Sequence, residues 1–222
     1  METIVKTLAQ ELGQKEVYVE NVVRLIDEGA TIPFIARYRK ELHGSMDDQL
    51  LRQLADRLQY LRNLDQRRGE VSAAIQAQGK LTEELSAAIA AAATLAEVED
   101  LYRPYKQKRR TRATIAREKG LEPLARRLSA KGSAQLNAEQ EAAAFLDPDK
   151  GVETIQDALQ GASDILAEEI SDQADLRKQL RELAQRRGVL VSKAAQAEPE
   201  DTVYRLYYDF RCPVGRLHGH QI

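Results

Sequence analysis

Tryptophan is absent, cysteine occurs once, and aromatic residues make up only 5% of the 222-residue chain. The single cysteine, Cys212, excludes a disulfide framework and every multi-cysteine zinc module, and it suits a reducing compartment. Long apolar runs are missing too. The longest, residues 87–93 around Ile89, falls far short of the ~20 residues a membrane span needs. Glu2 and Lys6 sit where a signal peptide would place its apolar stretch, so a cytoplasmic chain is expected. Aromatic residues, which favour strands, are scarce, whereas Ala, Leu, Arg, Glu and Gln are abundant. The expected fold class is therefore all-α.

Catalytic signatures are equally scarce. No G-x-G-x-x-G, G-x-x-x-x-G-K-[ST], G-x-S-x-G or H-E-x-x-H pattern occurs. Cys212, His218 and His220 form the only conceivable metal set, and C-x5-H-x-H matches no common zinc spacing. His43 lies in a glycine-containing turn and reads as a surface residue. Glu97, Glu99 and Asp100 read as solvated helix-surface charges. The chain is expected to be no enzyme, with no catalytic residue, no metal and no cofactor.

What is present is helical periodicity. Val19, Val22, Val23 and Ile26 share a face, and Gly29 is a natural stop. Pro33 marks a new start, with Phe34, Ile35 and Tyr38 expected in the core. Ser45-Met46-Asp47-Asp48 matches a capping pattern and opens a long helix. Its stripe is Leu50, Leu54, Leu58, Leu61, Leu64, Val71 and Ile75, with Gly69 a possible bend and Gly79 the end. Further helices are expected after Thr82, from Leu95 to Tyr102, from Glu122, after Asn137, and along Val152, Ile155, Leu159, Ala162, Leu166 and Ile170. Another carries Leu176, Leu180 and Leu183. Val189-Leu190-Val191 reads as a short extended piece, and residues 199–208 as a last short helix. A strict heptad is lacking, so a monomer is expected rather than a coiled-coil dimer.

Charge is distributed unevenly. Residues 101–131 hold eleven Lys and Arg against two Asp and Glu, while both flanks are net acidic and the whole chain is −2. Within this block Tyr102, Arg103, Pro104, Tyr105, Lys106, Lys108, Arg109, Arg110 and Arg112 interleave rings with cations. Lysine offers a point charge, arginine a bidentate fork for phosphate, and tyrosine a stacking face. Arg37 and Lys40 form a smaller candidate on a helix face away from Phe34. Two readings stand side by side: a phosphate footprint, or a basic surface that pairs with the protein's own acidic helices.

These segments carry a family resemblance. Residues 29–41, including Pro33-Phe34-Ile35-Ala36-Arg37-Tyr38-Arg39-Lys40, and residues 101–124 closely resemble the N-terminal region of the bacterial Tex proteins, transcription accessory proteins. Gln78-Gly79-Lys80-Leu81-Thr82, Asp164-Ile165-Leu166-Ala167-Glu168 and the stretch from Tyr204 through Tyr207-Tyr208-Asp209-Phe210 to Gly215 fit as well. The resemblance implies an all-helical array with a helix-turn-helix-like part and one long central helix. It also implies that this is an N-terminal fragment, because family members continue into an RNase H-like domain, helix-hairpin-helix elements and an RNA-binding OB-fold domain. Gln107 replaces a proline common in the family, and His218-Gly219-His220-Gln221 departs from the usual junction.

Four parts are expected: N-terminal helices over residues 1–44, the long helix with Ala-rich helices and the basic loop over 45–131, a helical part over 132–210, and a linker over 211–222. The expected function is nucleic-acid binding, RNA more than DNA, in the context of transcription. Arg103, Lys106, Lys108, Arg109, Arg110, Arg112, Tyr105, Arg37 and Lys40 are the candidate contacts. The alternative is an interaction scaffold that docks other domains or transcription machinery. No membrane partner is expected.

Overall fold

The computed structural model describes residues 2–130, 136–196 and 202–219. Among these the fold is mostly all-α, with eleven α-helices and one two-stranded sheet. The chain divides into two compact units, residues 1–98 and 99–222. The boundary between them lies inside α6, Leu95–Tyr102.

The first unit is built on a long helix. Helices α1 (Glu2–Leu12), α2 (Glu16–Asp27) and α3 (Ile32–Tyr38) pack on α4, Asp48–Gln76. Val5 and Leu8 of α1, Val19 and Val22 of α2, Ile35 of α3, and Leu51, Leu54 and Leu58 of α4 form one buried core. Farther along α4, Leu64, Val71 and Ile75 are buried, and α5 (Glu83–Ala91) packs there. Gly69 leaves α4 unbroken, because one glycine costs only about 1 kcal/mol against Ala and the buried stripe outweighs it.

Several expectations are corrected here. Asp47, not Ser45, caps α4, accepting from the Leu50 amide at 2.7 Å. Leu51 takes the core place expected of Leu50, which is half-buried. Ile35 is buried, but Phe34 and Tyr38 lie 39% and 57% exposed and stack on each other at 5.3 Å. A seven-residue helix buries one stripe, and these rings fall outside it. His43 is buried, not superficial, because the turn closes around it, its amide donating to the Arg39 carbonyl and its carbonyl accepting from the Met46 amide.

That turn fixes a glycine. Gly44 adopts φ +62°, and a Cβ there would meet the Tyr18 ring at 2.5 Å. Gly44→Ala should cost about 2 kcal/mol, from left-handed backbone strain plus displacement of Tyr18. The check is a lowered chemical-denaturation midpoint with unchanged slope.

The second unit centres on α10, Ile155–Ser171. Helices α7 (Arg112–Glu118), α8 (Glu122–Ser129) and α9 (Ala138–Ala143) pack against it. Ala113, Ala116, Leu121, Leu124, Ala142, Val152, Ala158, Ala162 and Ile165 form its core. Val152 joins from a bridge with Asp147, ahead of the helix. Ile170, expected in the stripe, is 55% exposed. Helix α11 (Ala174–Arg187) buries no residue, and its Leu180 and Leu183 are exposed. Val189–Lys193 forms β1, antiparallel to β2, Asp209–Pro213, with Val191 opposite Arg211. The helix expected at residues 199–208 is, in its described part, a 3-10 turn at Arg205–Tyr207 leading into β2; residues 199–201 lie outside the described residues. No helix among the described residues is long and apolar enough to cross a membrane.

Candidate nucleic-acid interface

The basic segment lies wholly in the second unit. After α6, a 3-10 turn over Arg103–Tyr105 accommodates Pro104. Residues 106–111 form a loop, and Thr111 caps α7 by accepting from the Thr114 amide at 3.1 Å. Arg112 is therefore the first residue of a helix and not part of the loop. Helix α7 is illegible in the sequence, because its buried residues are only Ala113 and Ala116.

The end of α10 supplies two carboxylates to this segment. Glu168 accepts from the Thr111 hydroxyl at 3.0 Å and from Arg117 at 2.6 Å, and lies 3.6 Å from Lys108. Asp172, the C-cap of α10, accepts from Arg103 at 3.0 Å and from Lys108. The two carboxylate side chains are only 16% and 15% exposed. Burial pushes the Glu168 carboxyl up, but the Arg117 and Thr111 hydrogen bonds and the Lys108 charge outweigh it and hold it below the usual carboxylate range.

A second carboxylate anchor sits at the base of the segment. Asp100, expected to be solvated, is buried and accepts from Arg177 at 2.5 Å, with Arg181 pairing to its other oxygen. Arg177 and Arg181 stand one turn apart on α11, so both reach one carboxylate.

The six candidate cations thus separate into two sets. Arg103 and Lys108 are bound to Asp172, and Arg110 pairs with Glu118 at 2.6 Å. Lys106, Arg109 and Arg112 are exposed and make no ion pair among the described residues. Arg112 lines a cleft of about 200 Å³ with Lys119, Asp157, Gln160 and Asp164. Tyr105 is half-buried and Gln107 is exposed. Arg37 and Lys40 belong to the first unit. Arg37 lies in the last turn of α3, whereas Lys40 lies beyond the helix in the following turn, so the expected shared helix face is not formed. Both are exposed and without an ion pair among the described residues.

The anchoring acids escape a reading of the sequence. Glu168 and Asp172 are four apart at the end of one helix, a spacing that places both on one face. Nothing local signals that the face meets residues sixty positions earlier. No group of three or more His, Cys, Asp or Glu suited to a metal exists among the described residues. His220 of the conceivable metal set lies outside them.

Two family models match the chain. The Tex-like protein N-terminal domain matches residues 2–76, and the Tex central region-like model matches residues 133–222. The chain belongs to the Tex family. This Tex chain is 47% identical over 220 residues to Protein tex of Bordetella pertussis, covering 99% of the chain and 28% of that relative. It is 42% identical over 219 residues to the Transcriptional accessory protein Tex of Neisseria gonorrhoeae, covering 98% of the chain and 28% of the relative. The human S1 RNA-binding domain-containing protein 1 is 33% identical over 228 residues, covering 99% of the chain and 22% of the relative. The Tex chain thus spans less than a third of the length of these relatives.

Proposed function

We propose that this Tex chain is a non-catalytic nucleic-acid-binding module that holds single-stranded RNA in the context of transcription. Lys106, Arg109 and Arg112 contact phosphates in this reading. The observation that carries it is that these three cations stay exposed and without an ion pair among the described residues, while their neighbours are tied to acids. These three are the cations of the candidate set in this segment that remain available to a phosphate. Relatives named for transcription and for an S1 RNA-binding domain support the choice of process and ligand. Tyr105, half-buried, braces the loop.

Three phosphate contacts fix the expected salt dependence. On single strands each contact contributes a slope of about −0.7 in log K against log salt, so the slope is about −2. Affinity for a labelled single-stranded RNA, read by fluorescence anisotropy, should fall roughly 20-fold between about 50 and 200 mM salt. Absence of binding at the lower salt would defeat the reading.

A second reading, an interaction scaffold for other domains or transcription machinery, is favoured by a different observation. Leu180 and Leu183 on α11 and Val189 and Val191 on β1 are exposed apolar residues, the kind of surface a docking partner would cover.

A further inference from the structure

Glu168 and Asp172 contact the basic segment at four places. Asp172 takes Arg103 at the segment's start, and both acids share Lys108 in the middle of the loop. Glu168 takes the Thr111 hydroxyl at the cap of α7 and Arg117 near that helix's end. Neither carboxylate is a surface charge that swings freely. Both stand on the end of α10, whose Ala158, Ala162 and Ile165 are fully buried in the unit's core. Residues 106–110 lie outside any helix or strand, so side-chain contacts such as these, together with the Arg110–Glu118 pair, hold the loop.

We infer that Glu168 and Asp172 are positioning residues for the RNA-binding segment proposed above, fixing the path of the loop that carries Lys106 and Arg109 and its junction with α7, where Arg112 stands. The inference rests on that binding reading. Ordering a loop costs backbone conformational entropy at every residue it fixes. A loop ordered in advance spares the complex that cost, which raises affinity without adding a contact. A competing role would make the two acids stand-ins for phosphate that mask Arg103 and Lys108. For Glu168 the geometry disfavours it, because Thr111 and Arg117 of α7 hold that carboxylate as well; for Asp172, which pairs with both Arg103 and Lys108, the experiment decides.

Salt dependence separates the two roles. Positioning leaves the number of phosphate contacts unchanged, whereas unmasking would add two. The experiment compares the full chain with Glu168→Gln/Asp172→Asn, using the same single-stranded RNA across a salt series, alongside backbone ¹⁵N relaxation on the free proteins. The expected result is a loss of affinity of about tenfold or more, with the slope kept near −2. Order parameters for residues 107–110 should fall from near 0.85 to below about 0.6, while α10 stays rigid. Asp172→Glu, which keeps the carboxylate, should recover most of the affinity relative to Asp172→Asn. Tighter binding with a slope steepened toward about −3.5 would overturn positioning in favour of masking. Unchanged order parameters would overturn it as well. If the wild-type chain binds no RNA, the binding reading fails, and the relaxation data still decide whether the two acids order the loop. Should the double variant unfold, Asp172→Asn alone reads the same quantities.

Discussion

Gly161→Val should destabilise the second unit by about 3 kcal/mol, an overpacking effect at the upper end of the usual range. Gly161 lies in the middle of α10, where glycine costs about 1 kcal/mol against alanine. Its presence there needs a packing reason, and α7 gives one. A Cβ at this position would collide with the Leu121 side chain and sit 3.3 Å from the Ala116 Cβ. Leu121 and Ala116 are both buried, so neither can move aside without opening the core. Ala113 and Ala116 on one side and Ala158 and Ala162 on the other let the two helices approach closely. That approach is what brings Glu168 within reach of Thr111 and Arg117. The valine variant should therefore lose thermal stability and RNA affinity together. Ser163→Val is the matched control. Ser163 is exposed on the same helix, and serine and valine have similar helix propensities. It should change stability by less than about 0.5 kcal/mol and leave binding intact. Thermal unfolding by circular dichroism, with an anisotropy titration on each variant, checks both statements.

Lys106→Ala/Arg109→Ala/Arg112→Ala carries the largest expected effect on binding. At about 0.1 M salt each phosphate contact contributes roughly 0.7 log units through counterion release, so three contacts contribute about 100-fold. The triple variant should lose that factor, and its salt slope should flatten toward zero. Stability should barely change, since all three side chains are exposed and unpaired among the described residues. Arg110→Ala is the informative control. Its guanidinium is committed to Glu118, and its removal should weaken binding by less than about threefold. If Arg110→Ala and the triple variant lose affinity alike, charge density alone governs binding, and the division into committed and available cations has no functional meaning.

The helices with strong stripes are legible in the sequence because burial there follows a 3.6-residue period. Leu54, Leu58, Leu64, Val71 and Ile75 predict α4, and Thr82 and Asn137 predict caps that the structure shows. Elements held by small residues are not. Helix α7 buries two alanines, and nothing in Arg112-Ala113-Thr114-Ile115 distinguishes it from a basic loop. Strand β2 escapes for another reason: Asp209-Phe210-Arg211-Cys212 gains its extended form from pairing with β1. The basic segment's existence is visible from charge alone, but its division is not. Pairing of Arg103 and Lys108 with Asp172 joins residues more than sixty positions apart, and no local pattern encodes that. Asp100 and His43 illustrate the same limit, since each looks like a surface residue until the chain folds around it.

The most direct test of the central claim locates the ligand. The ¹⁵N-labelled full chain is titrated with single-stranded RNA at about 50 mM salt, where phosphate contacts are strongest, and backbone amide shifts are followed residue by residue. The largest changes are expected at residues 105–112, with smaller ones at Glu168 and Asp172. Changes concentrated on α3 around Arg37, on the exposed face of α11, or nowhere would contradict it.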